Sequence, residues 1–332
     1  MRTLSLSGSK LILMPFMLIA ASSVYAADYY VTTSGSGNVC SKAAPCGSIQ
    51  TAVDIANEGD TIKLAAGTYV ENVSIGTPAT PNSKPGLTIK GQGRNKTFVV
   101  SAGTNTQRPA GVAADIIFDV WSRDTVIEKL TVKHPAGDVV ARDIGVFVGP
   151  PANNTALRKS GIVRQRTGTN LEPTQPGSRG ILVFRAKGAE ISRNKFVGNY
   201  QDHIHMPTSD SDISRNKVKG ATRLGIVIIQ ESPASINTGN TISRNKVSGN
   251  GTDGIQIQGD NNIVVRNIVK NNGAVAIKLC GETDADDTQG DGDCVNPFDR
   301  WAHATGNIII KNKHFGNAVD GIVDNGTNNT TY

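Results

Sequence analysis

Apolar residues in this chain alternate with variable ones over short stretches. Gly180-Ile-Leu-Val183, His203-Ile-His-Met206, Gly225-Ile-Val-Ile228, Gly254-Ile-Gln-Ile257, Ala276-Ile-Lys-Leu279 and Gly321-Ile-Val323 each place apolar side chains at period two. Runs this short are not helices; they read as strands with one face packed inward and the other wet. Glycine and asparagine punctuate them, as turns require. One segment differs: Ser48 precedes Ile49, Ala52, Val53 and Ala56 at helical spacing, which predicts a short helix behind a serine cap.

The strands sit inside a literal repeat. Ile191-Ser-Arg-Asn-Lys195, Ile213-Ser-Arg-Asn-Lys217 and Ile242-Ser-Arg-Asn-Lys246 are one pentapeptide, continued in altered form by Ile263-Val-Val-Arg-Asn267 and Ile308-Ile-Ile-Lys-Asn312. Asn194, Asn216, Asn245, Asn267 and Asn312 are 22, 29, 22 and 45 residues apart. A unit near 22 residues with one short and one longer insertion is a solenoid period. No such unit buries its apolar face alone, so the units must stack. Asparagine tolerates left-handed backbone in the turns, and its amide can bond the equivalent asparagine one coil away.

With these repeats the chain resembles the right-handed parallel β-helix proteins of the pectate-lyase-like superfamily. The resemblance covers about residues 28 to 326. Gly59-Asp-Thr-Ile-Lys-Leu-Ala-Ala-Gly-Thr-Tyr69 and Glu71-Asn-Val73 match its first coil, and the resemblance implies that the helix from Ser48 to Asn57 caps the open end. Leu87 to Val100 and Ile116 to Val132 read as further coils. Residues 149–178, with Pro150, Pro151, Pro173 and Pro176, read as a loop thrown out from the solenoid. One such scaffold hosts many activities, so the fold alone assigns none.

Composition narrows the class. Of 332 residues, 19% are charged and 5% aromatic, with 36 glycines, which fits neither a coiled coil nor a disordered acidic chain. Arg2, Lys10, the apolar run Leu11 to Ala21 and Val24-Tyr25-Ala26 read as a signal peptide over residues 1–26, cleaved before Ala27. That run is too short to span a bilayer, and no later stretch reaches the length required. The alternative, a buried N-terminal helix, is interrupted by Pro15. A secreted or periplasmic location follows. The net charge of +6 falls to +4 once Arg2 and Lys10 leave, so partners depend on where charge sits. Cys40 with Cys46 and Cys280 with Cys294 are the simplest disulfides of three connectivities, and neither spacing suits a zinc site.

The residue between the apolar positions of each strand faces out: Leu182, His205, Val227, Gln256, Lys278 and Val323. Regular alternation also turns Gly180, His203, Gly225, Gly254, Ala276 and Gly321 outward. Arg179, Asp202, Leu224, Asp253, Val275 and Asp320 lie at the bend before them, and Arg223 is adjacent. With coils about 4.8 Å apart, Arg179, Asp202, His203, His205, Arg223, Gln256 and Lys278 are expected on one face. Arg179, Arg223 and Gln256 would bind a uronate. His203, His205, Asp202 and Lys278 would move its C5 proton, giving β-elimination or epimerisation. The alternative is that the histidines merely decorate a wet strand.

Asp202-His203-Ile204-His205 resembles the Asp-Pro-His-Asp stretch of mannuronan C5-epimerases, without its proline and final aspartate. Tyr200-Gln-Asp202 resembles a catalytic strand of pectin methylesterases, but their second catalytic stretch is absent and the esterase is set aside. Arg158, Lys159, Arg164, Arg166, Arg179, Arg185 and Lys187 form a basic group that is either a solvated face or a site for a polyanionic glycan. Nucleic acid is not expected, because aromatics for base stacking are missing. Between Cys280 and Cys294, Asp284, Asp286, Asp291 and Asp293 alternate as calcium (Ca2+) ligands could, or belong to a solvated loop pinned by a disulfide.

The sequence therefore predicts an all-β, right-handed parallel β-helix solenoid with an N-terminal capping helix. It is expected as a single domain over 27–332, with the cap at about 27–60, the loop at about 149–178 and the acidic loop at about 280–300. A monomer acting on an acidic polysaccharide as lyase or epimerase is the leading expectation. A non-catalytic carbohydrate-binding or cell-surface protein is the alternative, and hydrolysis by Asp202 and Asp253 is a third.

Overall fold

The structure is a computed structural model that describes residues 26–103, 106–107, 113–137, 142–165, 177–229, 237–281, 294 and 304–332. Residues 1–25 of the expected signal peptide and the acidic residues Asp284, Asp286, Asp291 and Asp293 lie outside the described residues. Three long sheets wind along the molecule. The first has 11 strands and runs from Asp28–Val31 to Thr330–Thr331. The second has 9, from Gly67–Val70 to Lys313–Phe315, and the third has 10, from Val73–Ile75 to Val319–Asp324. Successive coils pair in parallel and in register, so Glu190 faces Asp212 and Asp212 faces Thr241. Among the described residues only Thr106–Gln107 pairs antiparallel, against Ala113–Val120.

Each coil contributes a few inward aliphatic side chains. Ile191, Ile213, Ile242, Val264 and Ile309 stack from the first sheet, while Ile204, Ile226, Ile255 and Ile277 stack from the third, all fully buried. At roughly 1.5–3 kcal/mol for each such side chain, stacking provides a core that no single coil has. The helix Ile49–Ile55 has Ser48 at its N-cap, whose hydroxyl accepts from the Thr51 amide. Its buried Ile49, Ala52 and Val53 join the same apolar cluster beside the first strands. Both expected disulfides are formed, Cys40 with Cys46 and Cys280 with Cys294. Among the described residues no helix is long and apolar enough to cross a membrane.

The expected loop over 149–178 is shorter than its prolines suggested. Ala156–Arg158 and Gly161–Arg164 are strands of the first and second sheets, because Leu157 and Ile162 supply the inward residues a coil needs. Residues 166–176 lie outside the described part.

Corners are built on left-handed residues, and what fills them differs. Between the third and first sheets the repeating position holds Asp124, Asn154, Gly188, Asp210, Gly239, Asn261 and Gly306, all types that accept positive φ, and Arg185 is left-handed there as well. Between the second and third sheets the residues are Gly198, Gly220, Gly249, Asn271 and Gly316. Between the first and second sheets the same conformation, φ 51° to 58°, is held by Lys129, Lys159, Arg193, Arg215, Arg244, Arg266 and Lys311. Each donates its amide to the residue before its equivalent in the next coil, as Arg215 does to Ser243 O at 3.0 Å. Long side chains there cost about 1–2 kcal/mol per position.

Behind the left-handed residues run asparagine ladders. The expected one is present: Asn194, Asn216, Asn245 and Asn267 each donate a backbone amide to the Oδ1 of the next asparagine at 2.9 Å. Two further ladders occupy the other corners, Asn240–Asn262–Asn307–Asn329 and Asn250–Asn272–Asn317. Asn245 also donates to Ile213 O at 2.8 Å. Replacing Asn245 by alanine strips partners from several buried polar groups and is expected to cost on the order of 3 kcal/mol in chemical denaturation. Arg244→Asn, at the neighbouring left-handed position, is expected to leave stability equal or higher.

Candidate active site on the third sheet

Strand alternation fails at one corner. Gly225 and Ile226 both donate backbone amides to the next coil, to Asp253 O and Gly254 O at 3.2 and 3.0 Å. Consecutive amides of a regular strand point to opposite neighbours, so the chain kinks here. Two successive positions consequently face inward. A Cβ on Gly225 would lie 2.6 Å from Val247 Cγ1, and one on Gly254 would lie 2.2 Å from Val269 Cγ1. Gly225 and Gly254, expected outward, therefore face the interior.

His203 shares their fate. Its imidazole is fully buried, lies 6.1 Å from the Phe196 ring and 6.0 Å from that of Tyr200, and its Nε2 is 2.9 Å from Lys219 O. Nδ1 has no hydrogen-bond partner. Burial drives its pKa down to about 4, against the weaker opposing pull of the Lys219 carbonyl and Asp202. His203 is thus a neutral interior residue filling space that glycine leaves elsewhere, and not part of the outward face.

The kink sends the flanking residues outward. Asp202 and His205 meet there, with His205 Nδ1 2.9 Å from Asp202 Oδ2. Arg179 Nη1 lies 3.2 Å from the same oxygen, and Arg223 Nε and the Leu224 amide each lie 3.3 Å from Oδ1. Burial alone would raise the Asp202 pKa, but Arg179, Arg223 and the His205 hydrogen bond outweigh it and hold the carboxyl far below the usual range. Among the described residues two guanidiniums share this one carboxylate. A carboxylate accepting from Nδ1–H fixes the tautomer with its lone pair on Nε2.

The other expected members lie elsewhere on the face. Gln256 is fully buried two coils on, and its Nε2 is 3.4 Å from the sulfurs of Cys280 and Cys294, so the disulfide covers it. Lys278 is half-buried one coil further in the same row, about 14 Å from His205 along the stack. Neither reaches the dyad. Asp253 accepts from the Val275 amide at 2.8 Å, and it lies two coils from Asp202 with Leu224 in the coil between.

The basic group is dispersed. Arg158 pairs with Glu190, and Arg164 is buried against Asp143 at 2.7 Å; Arg185 lies over the Phe184 ring at 5.0 Å. Arg166 lies outside the described residues.

Two features of the site were missed in the sequence. Trp121, Phe147 and Phe184 line the outer face in the coils before His205, with ring centroids 5.5 and 6.4 Å apart in sequence order. They extend an apolar cluster that includes Ile144 and Leu182. Their outward register was the available signal. The second is a buried polar knot in which Asp115, His134 and Asp143 place possible ligand atoms within 4.8 Å of one another. Arg164 supplies countercharge to Asp143 there, and Tyr200 Oη lies 2.8 Å from His134 Nδ1. Hydrogen bonds and the Arg164 guanidinium tie the knot together.

The right handed beta helix region family model matches residues 120–332. The chain belongs to this family. Among solved structures this β-helix is similar to ORF18 of Geobacillus virus E2, with 12% identity and a TM-score of 0.50, over 85% of this chain and 56% of that one. It therefore spans little more than half the length of that protein. It is also similar to pectin methylesterase from carrot, with 15% identity and a TM-score of 0.48, over 94% of this chain and 90% of that one. The Azotobacter vinelandii mannuronan C-5 epimerase AlgE6 A-module shows 13% identity and a TM-score of 0.38, over 82% of this chain and 88% of that one. Identities this low speak to the fold alone. No curated protein matches by sequence.

Two outcomes follow for the β-helix. The folded chain refuses a proton at His203 that the unfolded chain accepts between pH 6.5 and about 4. This stability is complete above pH 6.5 and is lost as pH falls through that window, by up to about 3 kcal/mol. Urea titrations across it should show the slope, and His203→Gln should flatten it. Asp202→Asn leaves Arg179 and Arg223 without their countercharge and should cost about 3–5 kcal/mol in the same assay.

Proposed function

We propose that this protein is exported and acts on an acidic polysaccharide laid across the outer face of the third sheet, with His205 as the proton acceptor. The observation that carries this reading is the Asp202–His205 pair held between two guanidiniums. Two guanidiniums at one place favour a uronate carboxylate. An electrostatically held carboxylate makes the adjacent C5 proton more acidic, and an imidazole whose tautomer is fixed by Asp202 is suited to take it. Breaking C5–H leaves the electron pair delocalised into the carboxylate. Loss of the C4 oxygen then forms a C4–C5 double bond, as in a lyase, while return of a proton to the opposite face gives the epimer. Trp121 and Phe184, both partly buried, offer aromatic surface for sugar rings a few coils away. Two disulfides suit an oxidising compartment.

A second reading, a binder without catalysis, is favoured by burial. Asp202 is fully buried and His205 is 2% exposed. Incubating the protein in deuterated water with alginate, pectate and glycosaminoglycans separates the two. Epimerisation returns solvent deuterium to C5, whereas elimination leaves C5 without hydrogen and is read as absorbance of the unsaturated uronate. One of the two signals is expected on at least one polymer, with a loss of about 10²–10⁴-fold in His205→Ala. Binding of a polymer with neither signal on any of them would establish the second reading and end the first.

A further inference from the structure

We infer that the corner between the first and second sheets is a second binding surface, independent of the His205 site, which holds a linear polyanionic glycan lengthwise along the stack. The column from Lys129 to Lys311 places one basic residue on each of seven successive coils. Six of these are exposed, from Lys159 onward, and Lys129 is half-buried. At about 4.8 Å per coil the column is a straight row of charge about 29 Å long. Beside it Lys195, Lys217, Lys246 and Lys313 form a second exposed file in the second sheet, broken by Ile268.

The backbone does not ask for these residues. Two other corners use the same left-handed conformation and fill its repeating position with Gly, Asn and Asp, as conformational preference dictates, with Arg185 a single departure between the third and first sheets. This corner repeats Arg or Lys over seven successive coils, accepting strain at each, and strain of this kind marks function. Local acids do not consume the charge. Among the described residues none of the seven side chains forms an ion pair; the nearby acids Glu190 and Asp212 are held by Arg158 and Ser214. Burial opposes ionisation of Glu190, but Ser192 and Arg158, with a lesser pull from Arg193, keep its pKa low.

A rigid row of evenly spaced cations fits a polymer whose anions repeat along its length. The columns flanking the row carry Ser192, Ser214, Ser243, Val265 and Ile310 on one side and lysines on the other. They present no aromatic platform for unstacked bases, which sets single-stranded nucleic acid aside. A file one or two side chains wide also lacks the apolar face with which proteins enter a lipid surface.

The test uses the full chain and end-labelled polygalacturonate long enough to cover seven coils, with fluorescence anisotropy read between low and moderate salt. The variant Arg193→Asn, Arg215→Asn, Arg244→Asn, Arg266→Asn removes four charges while keeping residues that accept positive φ, so it should fold; circular dichroism and melting temperature check this. It should bind at least tenfold more weakly at low salt, with a shallower dependence of affinity on salt. Removing four charges elsewhere, at Lys42, Lys63, Arg123 and Lys187, should leave affinity within about twofold. Should the fourfold variant fail to fold, Arg215→Asn with Arg244→Asn should show roughly half the change in salt slope. Unchanged affinity and slope in the ladder variant overturns the proposal. Tighter binding of oligothymidylate or phosphatidylserine vesicles than of polygalacturonate also overturns it, in favour of nucleic acid or membrane. The readout is binding, so absence of C5 exchange leaves it standing, and loss of ladder binding leaves the His205 reading standing.

Discussion

Every coil of this protein must find partners for its backbone in the coils above and below, and the asparagine ladders are where that demand is hardest to meet. At a corner the sheet hydrogen bonds stop and the turning backbone is buried. An amide group that donates and accepts answers both needs, and Asn216, Asn245 and Asn267 each do so toward a neighbouring coil. Because the partner is the next asparagine, each ladder fixes register as well as satisfying polar groups. Strand alignment, the aliphatic stacks and the rows of outward side chains all inherit that register.

The third sheet shows how a small backbone departure reassigns chemistry. Gly225 and Gly254 allow two consecutive inward positions, and the same kink at His203 carries its imidazole inside. One residue either side, Asp202 and His205 turn outward and meet. Two histidines two residues apart therefore live in opposite environments. One is driven neutral by burial among aromatic rings, and the other is oriented by a carboxylate that two arginines keep ionised.

Charge follows the same geometry at two scales. Beneath the outer face, buried ions come in compensated groups such as Arg164 with Asp143, as desolvation requires. Around Asp202 two guanidiniums gather on one carboxylate. On the corner between the first and second sheets the sequence repeat converts a single Arg or Lys per coil into a continuous row, because a position recurring along the chain recurs in space at the coil rise.

The sequence by itself determined the architecture. Period-two apolar runs and the recurring Ser-Arg-Asn-Lys unit leave parallel stacking as the way to bury these residues, and the spacing of Asn194, Asn216, Asn245, Asn267 and Asn312 located one corner of every later coil. Both disulfides were legible as near neighbours. The contents of the site were only half legible. The structure brings Asp202, His205, Arg179 and Arg223 together as expected from their register, whereas His203, Gln256 and Lys278 were added by assuming an unbroken alternation and a bare face. Whether a strand kinks is decided by contacts between coils, such as Gly225 against Val247, and whether a face is covered is decided by chain returning from far away, as Cys294 does over Gln256. Those contacts join residues that no local pattern relates, so the tertiary structure alone decides which side chains face each other.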